Sequence, residues 1–369
     1  MKIAVIGGGI VGATTSFYLA QAGDDVTLFD YKIGQATSAA AGIISPWLSQ
    51  RRNQDWYQLA RAGAKFYPTL MTDLNVPLES NIYQQVGTIL FKNNQSLLDK
   101  LYKIALKRRE EAPEIGEIIL LTPAEIQEKF PVLTPNMNGL FVSGGARVDG
   151  RQLIDQLVKS FKLLGGNYHE TLVSDLRPLQ SGWLVKTKGI TKEYDKIVLG
   201  TGAWLPNLLH PLGFSVDVRG QKGQLVEVKI DADTDNWPVV MPQGESDIIP
   251  FANGKILIGA THENEQFYDL TVDTQIVTDM VASIRELSPE LANSEHLNVR
   301  VGTRAYTSDF LPFFGEIAEL PGLFVASGLG SSGLTTGPII GHTMASWLHN
   351  KETELKVDRY SPTNYIRKI

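Results

Sequence analysis

The chain has 369 residues and no cysteine, with 34 basic against 40 acidic side chains and a net charge of −6. Its length implies about two domains, and the missing thiols exclude disulfides, thiolate metal sites, a cysteine nucleophile and any sulfur-tethered cofactor. The acidic balance argues against nucleic acid as the main partner, and six scattered histidines offer no metal-ligand cluster.

Taken in order, residues 2–6 form a short apolar, β-branched run that stops at glycines with no small-residue cleavage site, so a strand is expected there and not a signal sequence. A glycine loop over 7–12, helical spacing over 10–21 and a second apolar run over 25–29 make a βαβ unit with a parallel sheet. Residues 35–45 are too poor in large side chains to pack a core alone. A helix is expected over 54–74, a strand over 85–91 and a charged helix over 95–109. Lys107-Arg108-Arg109 runs straight into Glu110-Glu111, which is a solvated helix face.

Helical periodicity over 151–164 ends at Gly165-Gly166, a good stop. Residues 196–199 then read as a buried strand entering Gly200-Thr201-Gly202. From about 216 to 305 the pattern is β-rich, and Asn253-Gly254 marks a hairpin because both residues tolerate positive φ. A strand over 323–326, a glycine loop, and a helix from about Gly337 to Asn350 with Pro338 in its first turn close the chain. No stretch approaches the ~18–20 apolar residues of a membrane span. The expectation is a cytoplasmic protein with no integral membrane segment; peripheral membrane contact and a homo-oligomer stay open.

Nucleotide-type α/β pieces stand at the start, middle and end, with β-rich pieces between them. This implies two discontinuous domains, one over 1–80, 144–215 and 306–369, the other over 81–143 and 216–305. The fold class is α/β, a Rossmann-like dinucleotide-binding domain interleaved with an α+β domain on a largely antiparallel sheet.

Gly7-Gly8-Gly9-Ile10-Val11-Gly12 fits G-x-G-x-x-G after a strand and at the start of a helix. In that setting Gly7 permits the tight turn, Gly9 admits a pyrophosphate, and Gly12 lets helix pack on sheet. The helix N-terminus offers free N–H groups and partial positive charge to the phosphates. Asp30, at the end of the second strand, is placed to accept from a ribose diol. NAD and FAD both suit these residues.

Further along, five segments stand in a recognisable order: 37–44 (Thr-Ser-Ala-Ala-Ala-Gly-Ile-Ile), 194–204 (Tyr-Asp-Lys-Ile-Val-Leu-Gly-Thr-Gly-Ala-Trp), Lys222-Gly223-Gln224, 301–309 (Val-Gly-Thr-Arg-Ala-Tyr-Thr-Ser-Asp) with Pro312 and Gly315, and the loop 328–337. With them the chain resembles the glycine oxidase/D-amino acid oxidase-like (DAO) family of flavoproteins over nearly its whole length. The resemblance implies non-covalent FAD. Its contacts would come from Gly7, Gly9, Ile10, Val11, Gly12 and Asp30; from Thr37, Ser38, Ala41, Gly42 and Ile43; from Val173, Gly200, Thr201, Gly202 and Trp204; and from Gly328, Gly330, Ser331, Ser332, Gly333, Leu334 and Thr335. Small side chains over 37–43 would let backbone approach a flat ring. The loop 328–337 precedes a helix, whose amides and dipole favour negative charge on a reduced flavin.

The resemblance also places Arg304 on a substrate carboxylate, a task that suits a planar guanidinium; a structural ion pair with Asp309 or another acid is the competing role. His262 follows a strand that borders the substrate in that resemblance, which gives it either a contact with the amine or carboxylate or the role of a satisfied interfacial histidine, and Tyr306 reads as packing. Several relatives have a carboxylate-holding tyrosine three residues before the proline matching Pro250, where this chain has Asp247. An acid there would repel a carboxylate, so Asp247 is expected to meet a cationic part of the substrate, unless the match is displaced by a residue. The implied reaction is oxidative deamination of a small or N-substituted amino acid, by hydride transfer from the α-carbon to flavin N5. An imine and then an oxo acid follow, with oxygen or a quinone as electron acceptor. Competing readings are an NAD-dependent dehydrogenase, an FAD-dependent 2-hydroxy acid oxidoreductase and a flavin-binding protein without turnover.

Overall fold

The structure, a computed structural model, describes residues 1–244 and 246–369. The strand Lys2–Ile6 lies inside a six-stranded sheet, paired in parallel with Asp25–Asp30 on one side and Lys196–Leu199 on the other. Ile3, Ala4 and Val5 are fully buried, as befits a strand covered on both faces. Beyond these neighbours come Asn167–Glu170 at one edge, and Leu323–Ser327 then Phe313–Glu316 at the other. Phe313–Glu316 and Leu323–Ser327 form the antiparallel pair of this sheet.

Three helices meet over it at backbone distance. A Cβ on Gly341 of the helix Gly333–Leu348 would fall 2.7 Å from Thr14 Cβ and 2.9 Å from Val11 O of the helix Ile10–Gln21. One on Gly63 of the helix Gln54–Asp73 would fall 2.0 Å from Thr335 O. Thr15 Oγ1, between the first two, donates to Val11 O at 2.9 Å and reaches Gly341 O at 3.3 Å.

The last helix departs from the sequence expectation. It begins at Gly333, a turn before Gly337, so Pro338 lies in its interior. Proline has no N–H for the carbonyl four residues back, which would orphan Leu334 O. Tyr67 Oη donates to that oxygen at 2.6 Å and is itself fully buried, so the helix continues through the proline. The expected strand over 85–91 is also shorter, running from Thr88 to Leu90.

A second sheet has eight strands in the order Glu295–Tyr306, Arg219–Lys229, Lys255–Gly259, Asp247–Pro250, Val239–Met241, Thr88–Leu90, Gly139–Val142 and Ile118–Leu121. Its neighbours are antiparallel except Val239–Met241 with Thr88–Leu90, which is parallel. The hairpin turn has Asn253 at φ 62° and Gly254 at φ 75°, the left-handed pair that matches strand twist. The longest pairing runs from Arg219 opposite Tyr306 to Lys229 opposite Glu295 and sets Gln221 across from Arg304. Among the described residues no helix is long and apolar enough to cross a membrane.

Gly341→Val forces two methyl groups into the contact between Ile10–Gln21 and Gly333–Leu348. Overpacking of this kind costs about 1–3 kcal/mol, so a lowered urea midpoint with an unchanged m-value is expected in equilibrium unfolding.

Candidate active site

A cavity of about 1230 Å³ opens where the two sheets and the ends of the helices converge. At one end the chain turns through Gly7, at φ 99°, and crosses Gly200 so closely that a Cβ on Gly7 would lie 2.5 Å from Gly200 O. A Cβ on Gly12 would lie 1.8 Å from Gly7 O, so the start of the helix rests on the end of the strand. Gly9 differs. The nearest atom to its Cβ would be Thr37 Oγ1 at 3.5 Å, and Gly9 itself forms cavity wall. A side chain there would take up the space of a ligand without clashing with the fold.

Gly9 caps the helix Ile10–Gln21 with no side chain, leaving first-turn N–H groups for an anion. One of them, Ile10 N, donates to Thr37 Oγ1 at 3.1 Å and fastens the small-residue segment over the helix. Asp30, 5% exposed, reaches the wall with Oδ2 held by Gln35 Nε2 at 2.8 Å and Oδ1 3.3 Å from Lys32 N. The helix Gly333–Leu348 also starts without a side-chain cap, and residues 329–335 line the cavity. Two helix N-termini thus add positive potential to one space.

Of the residues expected to hold a cofactor, Gly7, Gly9, Ile10, Val11, Asp30, Thr37, Ala41, Gly42, Ile43, Val173, Gly200, Thr201, Gly202, Trp204, Gly330, Ser331, Ser332, Gly333, Leu334 and Thr335 line this cavity. Gly12, Ser38 and Gly328 lie off its wall. Ser38 turns to Gln35 Oε1 at 2.9 Å, while its carbonyl accepts from Arg151 Nε at 3.0 Å. Whether FAD fits can be tested on polar groups left unmatched. The buried hydroxyls of Ser45, Thr201 and Thr303 have no hydrogen-bond partner among the described residues, and all three belong to wall residues. Such orphans cost stability unless a ligand or water satisfies them. With the glycine turn, the acid at the strand end and the two helix ends, they fit a long, polar, phosphate-bearing dinucleotide.

At the other end Arg304, half-buried, donates from Nη1 to Gln221 Oε1 at 3.0 Å and to Thr261 O at 2.7 Å. Its guanidinium spreads over Gly223, where a Cβ would fall 2.7–2.9 Å from it. Asp309, the alternative ion-pair partner, bonds instead to Thr307, Leu311 and Tyr365. Tyr306 is buried, accepts from Ser331 N at 3.0 Å, and packs its ring beneath Gly330. His262 and Asp247 reach the same cavity. Among the described residues the Asp247 carboxyl group has no hydrogen-bond partner, and burial pushes it up to about 7.

Sequence reasoning gave Lys222 and Gln224 only as a family segment, without their network, and gave Arg51 no role. Lys222, fully buried, places Nζ 2.8 Å from Gln266 Oε1, 3.1 Å from Asp269 and 3.7 Å from Glu263. Gln224 Nε2 and Thr261 Oγ1 both donate to Glu263 Oε1, at 2.8 and 2.6 Å. This network holds the turn whose Thr261 carbonyl steadies Arg304. Arg51, stacked 4.6 Å over Trp56 and bonded to Ser331 Oγ at 3.2 Å, also lines the cavity, and no motif pointed to it.

Asp30→Ala removes the acid from the dinucleotide end. Hydrogen bonds to charged groups are worth roughly 1.5–3 kcal/mol, so cofactor retention through gel filtration should weaken by about ten- to a hundredfold, read from flavin absorbance.

The model of the FAD dependent oxidoreductase family (DAO) matches residues 2–347. The oxidoreductase YurR of Bacillus subtilis (strain 168) is 42% identical, over 98% of each chain. Glycine oxidase of Geobacillus kaustophilus (strain HTA426) is 29% identical over 100% of this chain and 98% of its own. The crystal structure of iminodiacetate oxidase from Chelativorans sp. BNC1 superimposes with a TM-score of 0.93 at 32% identity, over 98% of each chain. A nicotinamide cofactor is thereby set aside. On a match that spans nearly the whole sequence, the chain belongs to the FAD dependent oxidoreductase (DAO) family, and FAD is its cofactor.

Proposed function

We propose that the protein oxidises the CH–NH bond of a small or N-substituted amino acid, with Arg304 holding the substrate carboxylate. The observation that carries this reading is the guanidinium spread over Gly223 at the cavity wall, oriented through Nη1 by Gln221 and Thr261. A planar guanidinium pre-oriented in this way can grip a carboxylate through two parallel hydrogen bonds. The similarity to a glycine oxidase and an iminodiacetate oxidase supports an amino acid with a primary or secondary amine.

Bound FAD supplies a hydride acceptor. Gly7, Gly9, Ile10, Val11 and Asp30 would hold its nucleotide end, and residues 330–335 the other. The protein's own contribution is orientation and electrostatics. Fixing one carboxylate restricts where the α-carbon can lie, which is the main demand of a hydride transfer. The uncapped N-terminus of Gly333–Leu348 favours the negative charge that a bound flavin gains on reduction. The oxidised substrate, an imine, is then hydrolysed by water to an oxo acid and an amine. Oxygen or a quinone would accept the electrons, and reoxidation of the reduced protein by air separates the two.

Anaerobic mixing with glycine, sarcosine, iminodiacetate and D- and L-amino acids should bleach the flavin band with one group of these. If none of them does so, the reading fails. Arg304→Ala should keep its flavin yet lose roughly 10²–10⁴-fold in kcat/KM, the worth of two charged hydrogen bonds. Gly223→Ala, which displaces the guanidinium without removing it, should raise KM more than it lowers kcat.

A further inference from the structure

A carboxylate clamp accounts for one end of an amino acid. The other end carries an ammonium group, and hydride can leave the α-carbon only when that nitrogen has a free lone pair. Asp247 opens the strand Asp247–Pro250 beside Gly259 and reaches the cavity that Arg304 also reaches. No described residue hydrogen-bonds to its carboxyl group. A carboxyl group kept half-buried without a partner lowers stability, and a cationic ligand group is what would relieve that cost.

Resting on the amino acid oxidase reading, we propose that Asp247 is the residue that receives the substrate amine: its carboxylate pairs with the ammonium group and takes one proton from it. An N–H bond breaks with its electron pair left on nitrogen, and an O–H bond forms on Asp247. The proton passes to water once product has left. The substrate thus lies between opposite charges, carboxylate toward Arg304 and nitrogen toward Asp247.

The surroundings suit this role. Among the described residues, the other ionisable side chains on the substrate side of the cavity wall are His262, Arg304, Arg51 and Lys92. On the flanking strands, Val239–Met241 carries no charge, and Lys255 of Lys255–Gly259 is engaged with Asp149 at 2.9 Å. The helix Thr274–Ala282 holds neighbouring Ser246 through Met280 O, and its one acid, Asp279, is exposed and bonded to Gln275. Burial without an offsetting cation is what raises the carboxyl of Asp247 toward neutrality, which suits a proton acceptor working near pH 7.

The test compares the FAD-loaded protein with Asp247→Asn, checked for equal flavin content. Wild-type kcat/KM should rise with pH as Asp247 ionises, near pH 7. In the variant that rise should move to the more alkaline ionisation of the substrate's own amine. Its kcat/KM at pH 7 should fall at least about 100-fold and recover as pH increases. Acetate, a carboxylate with no amine, gives an independent readout through its perturbation of the flavin spectrum. Its affinity for wild type should fall as pH rises through 7 and level off once Asp247 is charged and repels it, and should lose that dependence in the variant. Amino acids that bleach both proteins with the same pH profile, or acetate affinity in wild type that is flat from about pH 6 to 9, would overturn the role of Asp247 alone. No bleaching by any amine in either protein overturns the oxidase reading and this role with it.

Discussion

Backbone meets backbone where Gly12 rests on the carbonyl of Gly7 and Gly7 crosses Gly200. No side chain fits between these segments, and their closeness points the helix Ile10–Gln21 into the cavity with its N–H groups uncapped. The same device recurs at Gly341 against Val11 and Thr15, while Gly337 makes room for the Ile10 side chain; both draw Gly333–Leu348 onto that first helix, so two helix N-termini serve one space. Replacing close glycine contacts with ordinary side-chain packing would set the helices farther apart and dilute the positive potential they share.

The Arg304 end of the cavity depends on a different constraint. Arg304 lies on a long strand whose partner sets Gln221 and Gly223 beneath it, one to orient the guanidinium and the other to give it room. Lys222, between them in sequence, points the opposite way, as the two-residue alternation of a strand requires. There it fastens Glu263 and Asp269. One short stretch of strand therefore serves the cavity with alternate residues and anchors the neighbouring turn with the residue between.

Much of the glycine-turn end of the cavity was legible because its determinants are local. A strand, a glycine turn, a helix and an acid follow each other within thirty residues, and each constrains the next through backbone geometry alone. The start of the last helix was misjudged for a non-local reason. Pro338 signals a helix start, and only Tyr67, more than 260 residues away and bonded to Leu334 O, lets the helix run through it. Arg51 and the Lys222 network were illegible in the same sense, because their meaning lies in partners that arrive from other elements.

By itself the sequence determined the βαβ beginning, the absence of sulfur chemistry, the order of the flavoprotein segments and the positions of the turns, all of which follow from neighbouring residues and backbone sterics. The tertiary structure decided which side chains share one cavity. It brought Arg304, Asp247 and His262 from three stretches of chain to one wall, turned Ser38 and Gly328 off it, and left the Asp247 carboxyl group with no hydrogen-bond partner among the described residues. Burial and charge at a site depend on everything that packs around it, and that sum is made only when the two sheets close.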